Sequence, residues 1–156
     1  FIDKDINIRD YLHEIITSFR EISKKEFVFN FDQDSNPKKI SKSIEIVYGL
    51  RNFIGNANKF ANNSIFINLK SDSEFTELTI EDDGNGYPRD IISKIGEPYL
   101  KSNYSKDKSK EGLGLGLFIG KTLLEKNFAS VNCRNSKTRN GAEVVIRWKN
   151  KELFNI

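Results

Sequence analysis

Asp82, Gly84 and Gly86 stand at alternate positions in Glu81-Asp82-Asp83-Gly84-Asn85-Gly86-Tyr87-Pro88, directly behind the alternating run Glu77-Leu78-Thr79-Ile80. A strand therefore ends where a glycine-bearing loop begins. Two glycines two apart let the backbone approach a ligand closely, and a carboxylate just ahead of them can accept a hydrogen bond from an amino group lying against that bare surface. Adenine offers such a donor. Taken alone, the pattern also fits a glycine-rich turn with a solvated aspartate.

A second set lies upstream. Asn52 and Asn56 are four apart and Lys59 follows three later, so a helix stacks them on adjoining parts of one surface. A neutral amide carbonyl suits Mg²⁺, which keeps several waters and draws its other ligands from one or two protein oxygens and substrate phosphates. Lys59 could then meet phosphate oxygens. The chain is rich in asparagine, and the pair alone also fits an ordinary helix surface. A third set, Gly112-Leu113-Gly114-Leu115-Gly116-Leu117, runs into a helical pattern. Glycines opening a helix would leave N–H groups free as an anion site; a helix-packing glycine repeat is the other reading. No Gly-Lys-Ser/Thr follows and no βαβ unit surrounds it, which excludes a P-loop and a dinucleotide fold.

These residues need elements to position them. Ile8, Tyr11, Leu12, Ile15, Ile16, Phe19 and Ile22 recur at helical spacing, with Asn7 and Asp10 placed as a capping pair. Phe27, Phe29 and Phe31 alternate as in a half-buried strand. The longest helical pattern covers residues 41–61, with Ile44, Val47, Leu50, Ile54 and Ala57 tracing a core face that Ile46, Phe53 and Phe60 widen. Strands at 65–69 and 75–81 are expected to pair as a hairpin, followed by a short helix at 90–95 ended by Gly96-Glu97-Pro98. The lysine-rich stretch up to Glu111, with Lys101, Lys106, Lys108 and Lys110, reads as a lid or binding loop, or as a disordered insertion. Strands at 131–134 and 142–148, turned by Asn140-Gly141, close an α+β fold.

The 156 residues suit one domain, 37% hydrophobic and 30% charged. A net charge of +3, from 25 basic and 22 acidic residues mixed along the chain, gives no support to a nucleic-acid or membrane role. A single cysteine, Cys133, excludes an internal disulfide and reads as strand packing; the single His13 excludes a histidine-rich metal cluster. No apolar run is long enough to span a bilayer. The chain contains no methionine, which points to a piece of a longer protein.

In this order, Asn52-x-x-x-Asn56-Ala57-x-Lys59-Phe60, Asp82-x-Gly84-x-Gly86, Glu97-Pro98-Tyr99 and Gly112-x-Gly114-x-Gly116-Leu117, the chain resembles the ATP-binding catalytic domain of bacterial sensor histidine kinases. These belong to the superfamily that includes Hsp90, DNA gyrase B and MutL. The wording around Gly96-Glu97-Pro98-Tyr99 and at 115–125 looks closest to the redox-responsive RegB type. The resemblance implies a two-layer α/β sandwich whose mixed, mainly antiparallel sheet is covered on one face by helices. It implies ATP and Mg²⁺, with Asn56 on the metal, Asn52 lining the phosphate side, and Lys59 and Lys101 on phosphates. Phe60 would lie near the base and Asp82 on the adenine amino group. Gly84 and Gly86 would let the base lie close, and Gly112, Leu113, Gly114, Leu115, Gly116 and Leu117 would cradle the phosphates.

It further implies transfer of the γ-phosphate to a histidine on a dimerisation domain outside residues 1–156, with a response regulator downstream. The full protein is expected to be a homodimer, with an inner-membrane anchor one option, and this domain a cytoplasmic monomer. The rivals are a serine kinase of the anti-sigma-factor type and a nucleotide-binding domain without transfer. Leu12-His13-Glu14-Ile15 invites comparison with the phosphate-accepting box of sensor kinases, but the usual following proline is missing, and His13 reads as a surface residue. Gly96 stands where many members have phenylalanine, and Tyr48 where many carry an acid. Where the gyrase, Hsp90 and MutL branch places a glutamate as base toward water, this chain has Asn52, whose amide takes no proton at neutral pH.

Overall fold

A computed structural model describes residues 3–32, 38–92 and 108–155. Strand β1 (Asp3–Asn7) leads into helix α1 (Ile8–Arg20), whose first turn is capped by Asn7, the side chain accepting from the Asp10 N–H at 2.9 Å. Strand β2 (Glu26–Phe31) and the short β3 (Lys39–Lys42) precede the long helix α2 (Ile44–Phe60). Ser43 caps α2 by accepting from the Ile46 N–H at 3.2 Å. Hairpin strands β4 (Ser64–Ser71) and β5 (Phe75–Asp82), the single turn α3 (Arg89–Ile92), helix α4 (Lys108–Lys126), strands β6 (Ser130–Asn135) and β7 (Ala142–Lys149), and a 3₁₀ turn at Asn150–Asn155 complete the order.

Five strands form one sheet in the order β2-β4-β5-β7-β6. β2 and β4 are parallel, which needs the long crossover that β3 and α2 supply, and the remaining pairs are antiparallel. The expected α+β sandwich is therefore what the chain forms. Ile65, Ile67, Leu69, Leu78, Ile80, Val144, Ile146 and Trp148 are buried on the sheet's inner face, whereas Phe66, Asn68, Thr79 and Val145 alternate with them and stay partly exposed. Trp148 is enclosed completely and its indole N–H donates to the Asn127 carbonyl at 3.2 Å. Burying a ring of that size contributes about 2–3 kcal/mol.

Helices α2 and α4 lie against each other through glycines. A Cβ at Gly49 would sit 2.8 Å from Leu124 Cγ, and one at Gly120 would sit 2.8 Å from the Phe53 ring. Bare backbone at both positions lets the helices approach.

Two expectations change. β1 and β3 pair antiparallel as a separate ribbon that sequence periodicity did not reveal, because neither has an alternating apolar run. Ile22 lies past the end of α1 and is 79% exposed, and Ile44, taken for a core position, is 69% exposed at the first residue of α2. The short helix is described over Arg89–Ile92; residues 93–95 of its expected span, with Gly96, Glu97, Pro98, Tyr99, Lys101 and Lys106, lie outside the described residues.

Candidate active site

Asp82 ends β5 with its side chain turned into the molecule, and it is only 3% exposed. Its Oδ1 accepts from the Gly84 N–H at 2.8 Å and from the Ala142 N–H at 3.3 Å; Oδ2 accepts nothing among the described residues. Burial pushes the Asp82 carboxyl above its ordinary pKa, the Gly84 and Ala142 N–H groups pull it back, and Asp83 and Glu81 add to the rise. One oxygen is thus fixed by the backbone and the other kept as an acceptor.

The glycines around it are bare for steric reasons. A Cβ on Gly84 would sit 3.0 Å from the Phe60 carbonyl carbon and closer still to its oxygen. A Cβ on Gly141 would fall 2.5 Å from Asp82 Oδ1. Gly86 adopts φ +80°, the left-handed region that L side chains avoid, and lies against the Asn135 amide. Asn135 then brackets the next residue, accepting from the Tyr87 N–H at 2.6 Å and donating to its carbonyl at 3.2 Å. The sequence marks Gly141 only as a hairpin turn residue and does not single out Asn135; nothing local marks their contact with the loop after β5.

The three consecutive acids do three different jobs. Glu81 points to the opposite sheet face, where it accepts from the Ser136 hydroxyl, from Thr138 Oγ1 at 3.3 Å and from Arg139 Nε at 3.3 Å. The Arg139 guanidinium also covers the Phe66 ring at 3.5 Å. Asp83 Oδ1 accepts from the N–H groups of Asn62, Asn63 and Ser64 at 2.8, 3.0 and 3.2 Å. Burial works against ionisation there, but these three N–H donors outweigh it and hold the Asp83 carboxyl below the usual range.

On α2, Asn52 donates to the Tyr48 carbonyl at 2.8 Å. Asn56 lies one turn on, and its Nδ2 is buried with no hydrogen-bond partner among the described residues. Gly116 of α4 faces both: a Cβ there would stand 3.3 Å from Asn56 Nδ2 and 3.8 Å from Asn52 Oδ1. The asparagines and the glycine stretch, far apart in sequence, therefore adjoin. One turn beyond Asn56, Lys59 is exposed with its ammonium 5.2 Å over the Phe60 ring, and Phe60 is the residue whose carbonyl abuts Gly84. α2 thus runs from the glycines of α4 to the loop that follows Asp82.

The glycine stretch does not open its helix. α4 begins at Lys108, so Gly112, Gly114 and Gly116 lie within it, where N–H groups past the first turn are directed at carbonyls four residues back. For Gly116 and Gly120 the helix-packing reading holds. Leu117 is 0% exposed and belongs to the core, so its side chain cannot line a ligand, whereas Leu115 is 56% exposed. Lys101 falls outside the described residues. His13 is a surface residue, as expected. Cys133 packs beside Tyr87, and burial pushes its thiol up to about 12, which keeps it protonated and inert.

The histidine kinase-, DNA gyrase B- and HSP90-like ATPase family matches residues 41–152. The sensor histidine kinase RegB of Cereibacter sphaeroides is 37% identical over 108 residues, covering 66% of this chain and 23% of that protein. The sensor protein RstB of Escherichia coli is 30% identical over 99 residues, covering 64% of this chain and 23% of that protein. The chain thus spans about a quarter of the length of these relatives. Among solved structures, the catalytic domain of the histidine kinase ThkA superposes with a TM-score of 0.76 at 19% identity, covering 96% of this chain and 98% of that one. Taken with the sheet order and the placing of the three motifs, these matches establish that the chain belongs to the histidine kinase-, DNA gyrase B- and HSP90-like ATPase family, as a catalytic ATP-binding domain of the sensor histidine kinase kind.

Proposed function

We propose that residues 1–156 form a single unit that grips ATP·Mg²⁺ and passes the γ-phosphate to a histidine on a dimerisation domain outside this chain. The observation that carries this is Asn56, a buried amide beside a bare stretch of α4 with no protein partner for its nitrogen among the described residues. An unpaired buried amide costs about 1–3 kcal/mol, which a ligand would recover. A half-turn about χ2 exchanges nitrogen for oxygen and offers Mg²⁺ a neutral ligand, so the residue fits the ion. Held there by Asn56, Mg²⁺ would supply positive charge to offset that of the phosphates.

Around it, Asn52 lines the phosphate side, and Lys59 and Lys101 contact phosphates. Gly112, Leu113, Gly114, Leu115 and Gly116 supply the surface on which the phosphates lie, with Leu117 holding that surface to the core. At the other end, Asp82 Oδ2 accepts from the adenine amino group while Gly84 and Gly86 leave room for the ring, and Phe60 sits beside the base. Asn52 spends its donor on the Tyr48 carbonyl and has no basic atom, so α2 offers water no proton acceptor at that position. Transfer to an imidazole needs none, because the acceptor brings its own lone pair and the domain supplies positioning and charge.

Ile44 and Tyr48 on α2, with Leu115 and Ile119 on α4, are large apolar side chains left in solvent on the two helices that carry the phosphate-side residues. They offer the histidine-bearing helical hairpin an apolar seat next to the γ-phosphate. In this reading the full protein is a homodimer that hands its phosphate to a response regulator, and this domain is cytoplasmic and monomeric. No described helix is long and apolar enough to cross a membrane.

The test is to mix the chain with candidate dimerisation hairpins and radiolabelled ATP. An acid-labile, alkali-stable phosphate on the hairpin, with no label on the chain by itself, is the expected outcome. An acid-stable product on a hydroxyl would favour the serine-kinase reading, and ATP binding without transfer to any hairpin would favour the binding-only one.

A further inference from the structure

Asp83 carries no ligand contact in the reading above, yet it has the densest set of backbone bonds in the loop that follows β5. Its Oδ1 gathers three successive N–H groups, from Asn62, Asn63 and Ser64, and its carbonyl accepts from Asn62 Nδ2 at 2.9 Å. Asn62 and Asn63 belong to the connection between α2 and β4, and Ser64 opens β4. On one side of Asp83 lies Asp82; on the other, Gly84 presses against the Phe60 carbonyl at the last turn of α2. The carboxylate therefore ties the helix bearing Asn52, Asn56 and Lys59 to the loop bearing Asp82, Gly84 and Gly86.

We propose that Asp83 is a positioning residue that sets the span between the phosphate-side and base-side halves of the nucleotide site. This rests on the reading that Asn56 and Asp82 hold opposite ends of one ATP. A ligand that touches two subsites gains from their linkage only while the distance between them matches its own length. Loosening the tie lets the two ends drift relative to each other, and the linked ligand loses that gain, whereas a ligand for one end notices nothing. The Asn62 Nδ2 bond to the Asp83 carbonyl also crosses between the α2–β4 turn and this loop, but it is one bond beside the three that Asp83 Oδ1 accepts. The Asp83 carboxylate therefore supplies most of the side-chain fastening among the described residues.

The experiment compares three probes on the 156-residue chain by calorimetry or NMR titration: ATP·Mg²⁺, adenosine, and tripolyphosphate with Mg²⁺. Asp83→Ala is expected to weaken ATP·Mg²⁺ about tenfold while changing adenosine and Mg²⁺-tripolyphosphate by less than about twofold. Asp83→Asn keeps an acceptor oxygen for the three N–H groups and is expected to lose only about threefold on ATP, again with both half-ligands unchanged. Equal losses on all three probes would mean that Asp83 merely stabilises the fold and would overturn the proposal. An unchanged ATP affinity in Asp83→Ala would overturn it too. If Asp83→Ala shows no cooperative melt, the Asp83→Asn split between ATP and the half-ligands decides on the same terms. A wild-type chain that does not bind ATP would bring down the site reading itself, a result distinct from either of these.

Discussion

Replacing Gly84 by alanine tests how closely the base-side loop and α2 are fitted. The added Cβ would stand 3.0 Å from the Phe60 carbonyl carbon, with the carbonyl oxygen nearer, and both are backbone atoms that cannot rotate away. Relaxed carbon–carbon contacts lie at about 3.5–4.0 Å and carbon–oxygen contacts only slightly closer, so with the oxygen as the limiting atom the loop and the helix end must part by roughly 1 Å. Forcing backbone apart in a packed region costs about 1–3 kcal/mol. For a chain of this size that lowers the melting temperature by roughly 3–10 °C. The same displacement moves Asp82 away from Asn56, and a misplacement of about 1 Å can cost up to ~100-fold, so ATP affinity should fall by about 10–100-fold. Thermal melts followed by circular dichroism and ATP titration by calorimetry read the two effects. Gly55→Ala is the control: it lies inside α2 and its Cβ would meet nothing nearer than Phe19 Cζ at 3.7 Å, an ordinary contact. It should stabilise by about 0.5–1 kcal/mol through helix propensity and leave ATP binding alone. If Gly84→Ala melts and binds like the wild type, the steric account of this loop is wrong.

Asp82→Asn should weaken ATP by about 100-fold or more, since an amide places a donor where the adenine amino group needs an acceptor, while raising the melting temperature at neutral pH. The sign follows from burial lifting the Asp82 pKa above its unfolded value: its contribution to stability is full below the ordinary carboxylate range and is lost as pH rises through the folded value. The stabilisation by Asp82→Asn should therefore fade as pH is lowered into that range, and an equal gain at all pH would contradict it. Asn56→Ala removes a buried donor that has no partner among the described residues and adds helix propensity, so the apo chain should hold or gain about 1 kcal/mol while Mg²⁺-dependent ATP binding is lost. A clear drop in apo stability would show that the Asn56 amide is already satisfied within the fold.

Most of the elements, though not β1 and β3, can be read from the amino-acid sequence, and so can the residues proposed to face the nucleotide. Periodicity is local, and it located α1, α2, the β4–β5 hairpin and the β6–β7 hairpin to within a few residues, together with the Asn7 cap. Asp82, Asn52 and Asn56 are legible only through the order and spacing of several motifs together, since the acid before spaced glycines and the amides at helical spacing each also fit an ordinary turn or helix surface when taken alone. What it could not give was which surfaces meet. Ile22 and Ile44 have the right type and spacing for a core, yet they sit at helix ends where no element covers them. The start of α4 ahead of its glycines, and the packing of Gly49 and Gly120 between helices, depend on where α2 lies. Glu81, Asp82 and Asp83 read as one acidic run; only the fold sends the first to the β6–β7 connection, the second inward and the third to the turn after α2. Hydrogen bonds and close contacts act over a few ångströms in space, so a partner 20 or 60 residues away in the chain leaves no local trace in composition or period.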